Sequence, residues 1–243
     1  MNCAAANLRH MSRALKEKKS ESSLPSSEKS AKQIANLITD INPRFKPVIE
    51  KSGLCTIGVS TGISADSKSL KPRKLKESNF ASLASSIISQ QLSTKAAATI
   101  IKRVEAECGG KLNSSKLATI KTEKLRELGC SGSKARAIKE MALADVSKQI
   151  PMRSLHKMDD SEIMGHLLPL FGVGQWTVEM FLMFQLERQD VWPVGDLGVR
   201  RGWEKIHRMR TEITPKKLLE LGMDYSPYRS HVAWYCWRAL EVL

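Results

Sequence analysis

The sequence predicts an all-α fold. Apolar residues recur at helical spacing through most of the chain, strand-like alternation is nearly absent, and Ser, Asp and Gly residues punctuate the apolar runs where helices start and stop.

The first 30 residues read as a tail. Ser, Lys and Glu crowd Ser20–Ser30 and aromatic side chains are absent, so too little apolar surface is present to offset the entropy of ordering. Arg9, Arg13 and Lys16, with no acid among them, fit a plain basic tail better than an organellar transit signal. From Ala31 to Ile41, the residues Ile34, Ala35, Leu37, Ile38 and Ile41 fit a helix, and Pro43 and Pro47 follow it. Ser52–Ser69 reads as a loop or short extended segment, and Lys71-Pro72-Arg73-Lys74-Leu75-Lys76 as a basic, solvated connector.

Phe80, Leu83, Ala84, Ile87 and Ile88 then fall at i, i+3, i+4, i+7 and i+8, one buried stripe. A polar break at Ser89-Gln90-Gln91 separates them from a helix that Ser93 or Thr94 caps and that runs through Ala97, Ile100, Ile101 and Val104 to Gly109-Gly110. Leu117–Leu128 reads as one helix stopped at Gly129, and Lys134–Ser147 as another, capped by Ser131 or Ser133. Asp160 or Ser161 starts a helix with Ile163, Met164, Leu167 and Leu168 on its inner face. Phe171-Gly172-Val173-Gly174 interrupts it before Gln175–Leu186.

Two glycines around one aliphatic residue make a tight helix–helix turn. Gly admits left-handed dihedrals and lets a phosphate reach the backbone amides, to which the second helix adds a partial positive charge. A lone Gly-x-Gly is more often only a turn, but here it lies between amphipathic helices in a basic chain. The formal charge is +14, and the first 30 residues carry only +3 of it. The folded part is therefore the basic part, which suits a polyanionic partner. Five cysteines, none close to another, exclude C-x-x-C zinc or redox sites and an iron–sulfur cluster, and suit free thiols in a reducing compartment. No apolar run approaches the ~20 residues of a membrane span.

Asp196 stands in Pro193-Val194-Gly195-Asp196-Leu197-Gly198, a carboxylate in an otherwise apolar segment. By itself it fits an N-cap of a helix at Leu197–Ile206 or a surface turn, and an N-cap at a domain junction can still face a cleft. His207 and His231 read as surface or packed residues.

Four ordered segments resemble one family. They are Ser86–Ser93, Leu128–Ala135, Leu168–Glu179 (with Leu168-Pro169-Leu170-Phe171-Gly172-Val173-Gly174-Gln175-Trp176) and Trp192–Gly198. Together they resemble the 3-methyladenine, or alkylbase, branch of the helix-hairpin-helix DNA glycosylases, from about Phe80 to the C-terminus. The chain is expected to lack the additional N-terminal β domain of some bacterial relatives.

The resemblance implies two helical subdomains flanking a cleft, with the helix-hairpin-helix in one of them. Residues 78–194 would form the hairpin subdomain, and residues 31–77 plus 195–243 the other. Asp196 would be the catalytic carboxylate. Trp176 replaces the Lys that bifunctional relatives carry, so the enzyme would cleave the glycosidic bond without lyase chemistry. Trp176 and Tyr228 would line the pocket for the base, while Trp192, Trp234 and Trp237 read as core or wall. Gln91, Leu92 and Ser93 would wedge into the duplex. Gly172, Gly174, Lys134 and Arg200 would bind phosphates. No cofactor is implied beyond a structural monovalent cation on the hairpin carbonyls.

The implied partner is double-stranded DNA with alkylated bases, bound by a monomer away from membranes. The implied location is the nucleus in a eukaryote, with an organelle as the alternative, or otherwise the cytoplasm. The main alternative is a non-catalytic helix-hairpin-helix DNA-binding module. The pairing of Trp176 with Asp196 favours the enzyme over that alternative, and the lack of a hairpin Lys disfavours a glycosylase for oxidised bases.

Overall fold

A computed structural model describes residues 31–58 and 77–243. They form α-helices and short 3-10 turns, and no strand occurs among the described residues. The tail, most of Ser52–Ser69 and the connector Lys71–Lys76 lie outside the described residues.

The helices are α1 (Ala31–Ile41), α2 (Lys46–Ser52), α3 (Asn79–Ser89), α4 (Thr94–Glu107), α5 (Ser114–Thr119), α6 (Thr122–Glu127) and α7 (Gly132–Val146). They continue as α8 (Asp160–Leu167), α9 (Gln175–Phe184), α10 (Leu197–His207), α11 (Pro215–Gly222) and α12 (Arg229–Val242). Caps set most of the starts. Ser93 accepts from Ala96 N, Ser131 from Lys134 N and Thr214 from Lys217 N. Asp159, one residue before the expected start, closes a capping box with Glu162 ahead of α8. Each such cap contributes about 1 kcal/mol.

α1 ends at Ile41, as expected, and Pro43 and Pro47 follow it. They occupy the first turns of a 3-10 turn and of α2, where a missing N–H costs nothing. The single helix expected over Leu117–Leu128 is split, because Ile120 is extended (φ −67°, ψ 132°). The Ile120 carbonyl, freed by the break, accepts from Lys139 Nζ at 2.7 Å.

Packing sorts the helices into two groups. α3 lies against α4, α7 and α9, with Leu83, Ala84, Ile87 and Ile88 fully buried. Each large side chain of that stripe contributes roughly 1.5–3 kcal/mol by leaving water. In the second group α10 crosses α12, and α12 also packs on α2. The crossing is close because Gly202 has no side chain, and a Cβ there would lie 1.9 Å from the Cys236 carbonyl oxygen.

The segment between α9 and α10 passes from one group to the other and is tied down along its length. Asp190 takes a two-pronged contact from Arg229 (2.7 and 2.9 Å), and Ser230 Oγ accepts from Val191 N. Trp192, a core residue as expected, donates to the Leu218 carbonyl. These anchors fix where Asp196 emerges.

Candidate active site

The hairpin joins α8 to α9. Gly172 has φ +77°, and a Cβ there would lie 2.8 Å from the Ala137 Cβ of α7, so both backbone shape and space call for glycine. Gly174 is the N-cap of α9 and offers no side chain to its first amides. Those N–H groups are left for an external acceptor, and the helix dipole favours an anionic one. Phe171, at the hairpin's edge, carries the Arg136 guanidinium 4.0 Å from its ring centre.

A cation on this turn would need carbonyl oxygens. The Gly172 carbonyl already accepts from Gln90 Nε2 at 3.2 Å, whereas those of Phe171 and Val173 have no donor among the described residues.

Asp196 is the N-cap of α10, and its Oδ1 accepts from Val199 N at 2.7 Å. The same oxygen accepts from Trp237 Nε1 at 2.9 Å, and Oδ2 accepts from Trp176 Nε1 at 2.6 Å. One carboxylate thus receives N–H donors from α9, α10 and α12. Trp176 leaves 48% of its surface exposed, an unusual amount for an indole held by a hydrogen bond. Trp176, Met180 and Phe184 recur every fourth residue along one stripe of α9, and Phe184 lies 5.9 Å from the Trp237 ring. The outcome is a half-buried carboxylate flanked by aromatic side chains.

Trp237 corrects the sequence reading. Its spacing from Trp234 suggested core, yet its indole binds Asp196 directly. Tyr228, expected in the pocket, is the N-cap residue of α12, and its ring packs edge-on against His231. Glu179 was also missed. It is 5% exposed, on α9, and accepts from Gln175 Nε2 at 2.9 Å. Burial raises its carboxyl above the usual range, and the Asp196 charge adds to the rise. A buried acid one turn beyond an exposed tryptophan is the signal that could have found it.

The wedge residues separate. Gln91, in the left-handed region at φ +56°, and the exposed Leu92 form the tip of the α3–α4 loop. Ser93 does not project as a plug, since its hydroxyl caps α4. Lys134 donates to the Ile88 and Gln90 carbonyls at the end of α3 (2.9 and 2.5 Å), a role that occupies two of its three N–H donors. Arg200, one turn beyond Asp196, has a buried Nε with no partner among the described residues. His207 stacks on Trp203 and bonds Asn42, and His231 is fully buried, so both are packed residues as read.

A helical fold whose glycine hairpin offers backbone amides, beside a carboxylate held by two indoles, is the equipment of a base-excision protein. The chain belongs to the HhH-GPD superfamily of base excision DNA repair proteins, whose family model matches residues 84–227. It is similar to DNA-3-methyladenine glycosylase 1 of Schizosaccharomyces pombe, 32% identical over 170 residues that cover 69% of this chain and 75% of that relative. An alkylbase DNA glycosidase-like protein of the same yeast is 27% identical over 205 residues, covering 83% of this chain and 90% of the relative. Among solved structures, DNA-3-methyladenine glycosidase from Bacillus halodurans superposes with TM-score 0.70 at 32% identity, over 85% of this chain and 88% of that one. The S. pombe 3-methyladenine DNA glycosylase bound to abasic DNA gives TM-score 0.68 at 26% identity, over 85% of this chain and 95% of that one.

Proposed function

We propose that this chain is a monofunctional DNA N-glycosylase that removes alkylated purines, of the N3-methyladenine and N7-methylguanine type, from double-stranded DNA. The observation that carries the reading is the Asp196 carboxylate, held by indoles from two helices, one of them the helix that follows the hairpin. Its relatives' names point to the same chemistry.

The steps follow from the parts. A base inside a duplex is out of reach, so the nucleotide is extruded at a cost of a few kcal/mol, least for a weakened pair. The hairpin amides hold the backbone, and Gln91 and Leu92 fill the gap. N3- or N7-alkylation makes the purine cationic, and an electron-rich aromatic face attracts a cation by roughly 0.5–2 kcal/mol. Trp176, Phe184 and Trp237 offer such faces, with Met180 between the first two on α9.

When the C1′–N bond breaks, its electron pair goes to the base, which leaves neutral without a strong general acid. The sugar becomes oxocarbenium-like. Asp196 stabilises that positive charge and takes the proton of the water that attacks C1′. Trp176 supplies no amine, so no Schiff base forms and the strand stays intact. In this reading the protein acts as a monomer, and a monovalent cation sits on the Phe171 and Val173 carbonyls.

The test is chromatographic release of free methylpurine from methylated duplex by the purified full chain, with strand integrity followed beside it. Release with the strand intact until alkali is added is the expected result. Strand cleavage without alkali would contradict the monofunctional assignment. DNA binding without release would favour the non-catalytic binding module.

A further inference from the structure

The α3–α4 loop that carries the wedge is joined to the hairpin by a single side chain. Gln90, the residue that ends α3, directs its Nε2 to the Gly172 carbonyl of the hairpin (3.2 Å) and to the Thr177 hydroxyl of α9 (3.3 Å). Its own carbonyl, with that of Ile88, is held by Lys134 of α7. α7 in turn abuts the hairpin, since Ala137 fills the space beside Gly172. The end of α3, the start of α7 and the hairpin thus close a ring of contacts.

Gln91 follows directly, in the left-handed region that non-glycine residues adopt only at a cost. Such a conformation persists where the surroundings hold it. Here the hold comes from the residue before it. The Leu92 amide, bonded to the Ser89 carbonyl at 3.2 Å, completes the tight turn.

We propose that Gln90 is a positioning residue that fixes the wedge side chains Gln91 and Leu92 in register with the phosphate gripped by the hairpin. This rests on the reading of the hairpin as the backbone grip of a base-flipping enzyme. Backbone binding alone needs only the hairpin amides. Extrusion needs the wedge to enter at the nucleotide that those amides define, and a loose loop would enter at several positions or none. Gln90 touches neither the base nor Asp196, and its effect passes through the loop. Specificity of register, and not affinity, is therefore what it supplies.

The test uses Gln90→Met, which keeps the length of the side chain and removes the amide. Thr177→Val serves as a second variant that removes one of the two acceptors and leaves the other. The probe is a duplex carrying a tetrahydrofuran abasic analogue with 2-aminopurine beside it, whose fluorescence rises when a wedge unstacks it. Affinity and its salt dependence are measured on the same duplex, and single-turnover base release on methylated DNA. For Gln90→Met, Kd and salt slope are expected within about twofold of wild type. The fluorescence rise and the single-turnover rate should both drop about five- to tenfold, the effect of one or two lost hydrogen bonds. Thr177→Val should fall between the two.

A wild-type fluorescence rise in Gln90→Met would overturn the proposal. So would a Kd that weakens in step with the rise, since that marks a general structural role. If wild type itself binds without a rise or without base release, the reading beneath it fails, and the inference fails with it.

Discussion

Trp176 and Asp196 meet, Nε1 to Oδ2 at 2.6 Å, from two helices whose starts lie about twenty residues apart. With Val199 N and Trp237 Nε1 on Oδ1, three of the carboxylate's roughly four lone-pair positions receive N–H donors. The remaining position, on Oδ2, is the one open to a water or a sugar. An indole that is half exposed can swing away when a base stacks on it, which frees the rest of that oxygen.

Trp237 holds the other oxygen and is the more enclosed of the two. Trp237→Phe keeps a ring against Phe184 and removes only the N–H. A hydrogen bond to a charged group contributes about 1.5–3 kcal/mol, less at a partly exposed site such as this. Single-turnover base release is expected to fall about tenfold, with Kd for duplex DNA within about twofold of wild type. An unchanged rate would show that Asp196 keeps its position without this donor.

Gly172 gives a test of the grip that leaves the chemistry in place. In Gly172→Ala the new Cβ meets Ala137 at 2.8 Å in a left-handed backbone, so the turn must shift. The strain costs on the order of 1 kcal/mol of stability. Displaced amides should weaken duplex binding about tenfold, as read by fluorescence anisotropy, while the thermal midpoint drops by only a few degrees. Wild-type affinity would remove the hairpin from the DNA interface.

Helix order was legible in the chain because caps and apolar stripes are local signals. α1, the start of α9 and the N-cap role of Asp196 are all written in adjacent residues. What was not legible depends on partners far away in sequence. Trp237 reads as core because helical spacing pairs it with Trp234, and only the crossing of α12 over α10 brings it to Asp196. Lys134 reads as a phosphate ligand because nothing local reveals that the end of α3 stops beside it. The break at Ile120 has no glycine or proline to mark it, and depends instead on Lys139 from the next long helix.

His231 sets an expectation for acid stability. It is fully buried, its ring nitrogens make no well-formed hydrogen bond among the described residues, and burial pushes its imidazole down to about 4 from an ordinary 6.5. The unfolded chain therefore binds a proton below about pH 6.5 that the native state refuses until about pH 4. Stability is complete above 6.5, declines as the pH falls through that window, and levels off below it, a loss of about 3 kcal/mol. Burial lowers His207 too, in the same direction. Urea unfolding at pH 7.5 and pH 5 should show the decline, and His231→Phe should reduce it. Equal stability at both pH values for wild type would contradict a buried neutral His231.

The most direct test of the central claim is single-turnover release of methylpurine from methylated duplex by Asp196→Asn. Asparagine is as good an N-cap as aspartate, so the Val199 contact and α10 are expected to stand. The negative charge is lost, and with it the acceptor for Trp176 Nε1, because the amide nitrogen that replaces Oδ2 only donates. Removing the group that stabilises transition-state charge is expected to lower the rate by at least about a hundredfold, with DNA affinity and thermal midpoint close to wild type. Release at the wild-type rate would contradict the assignment of Asp196 as the carboxylate that drives the reaction.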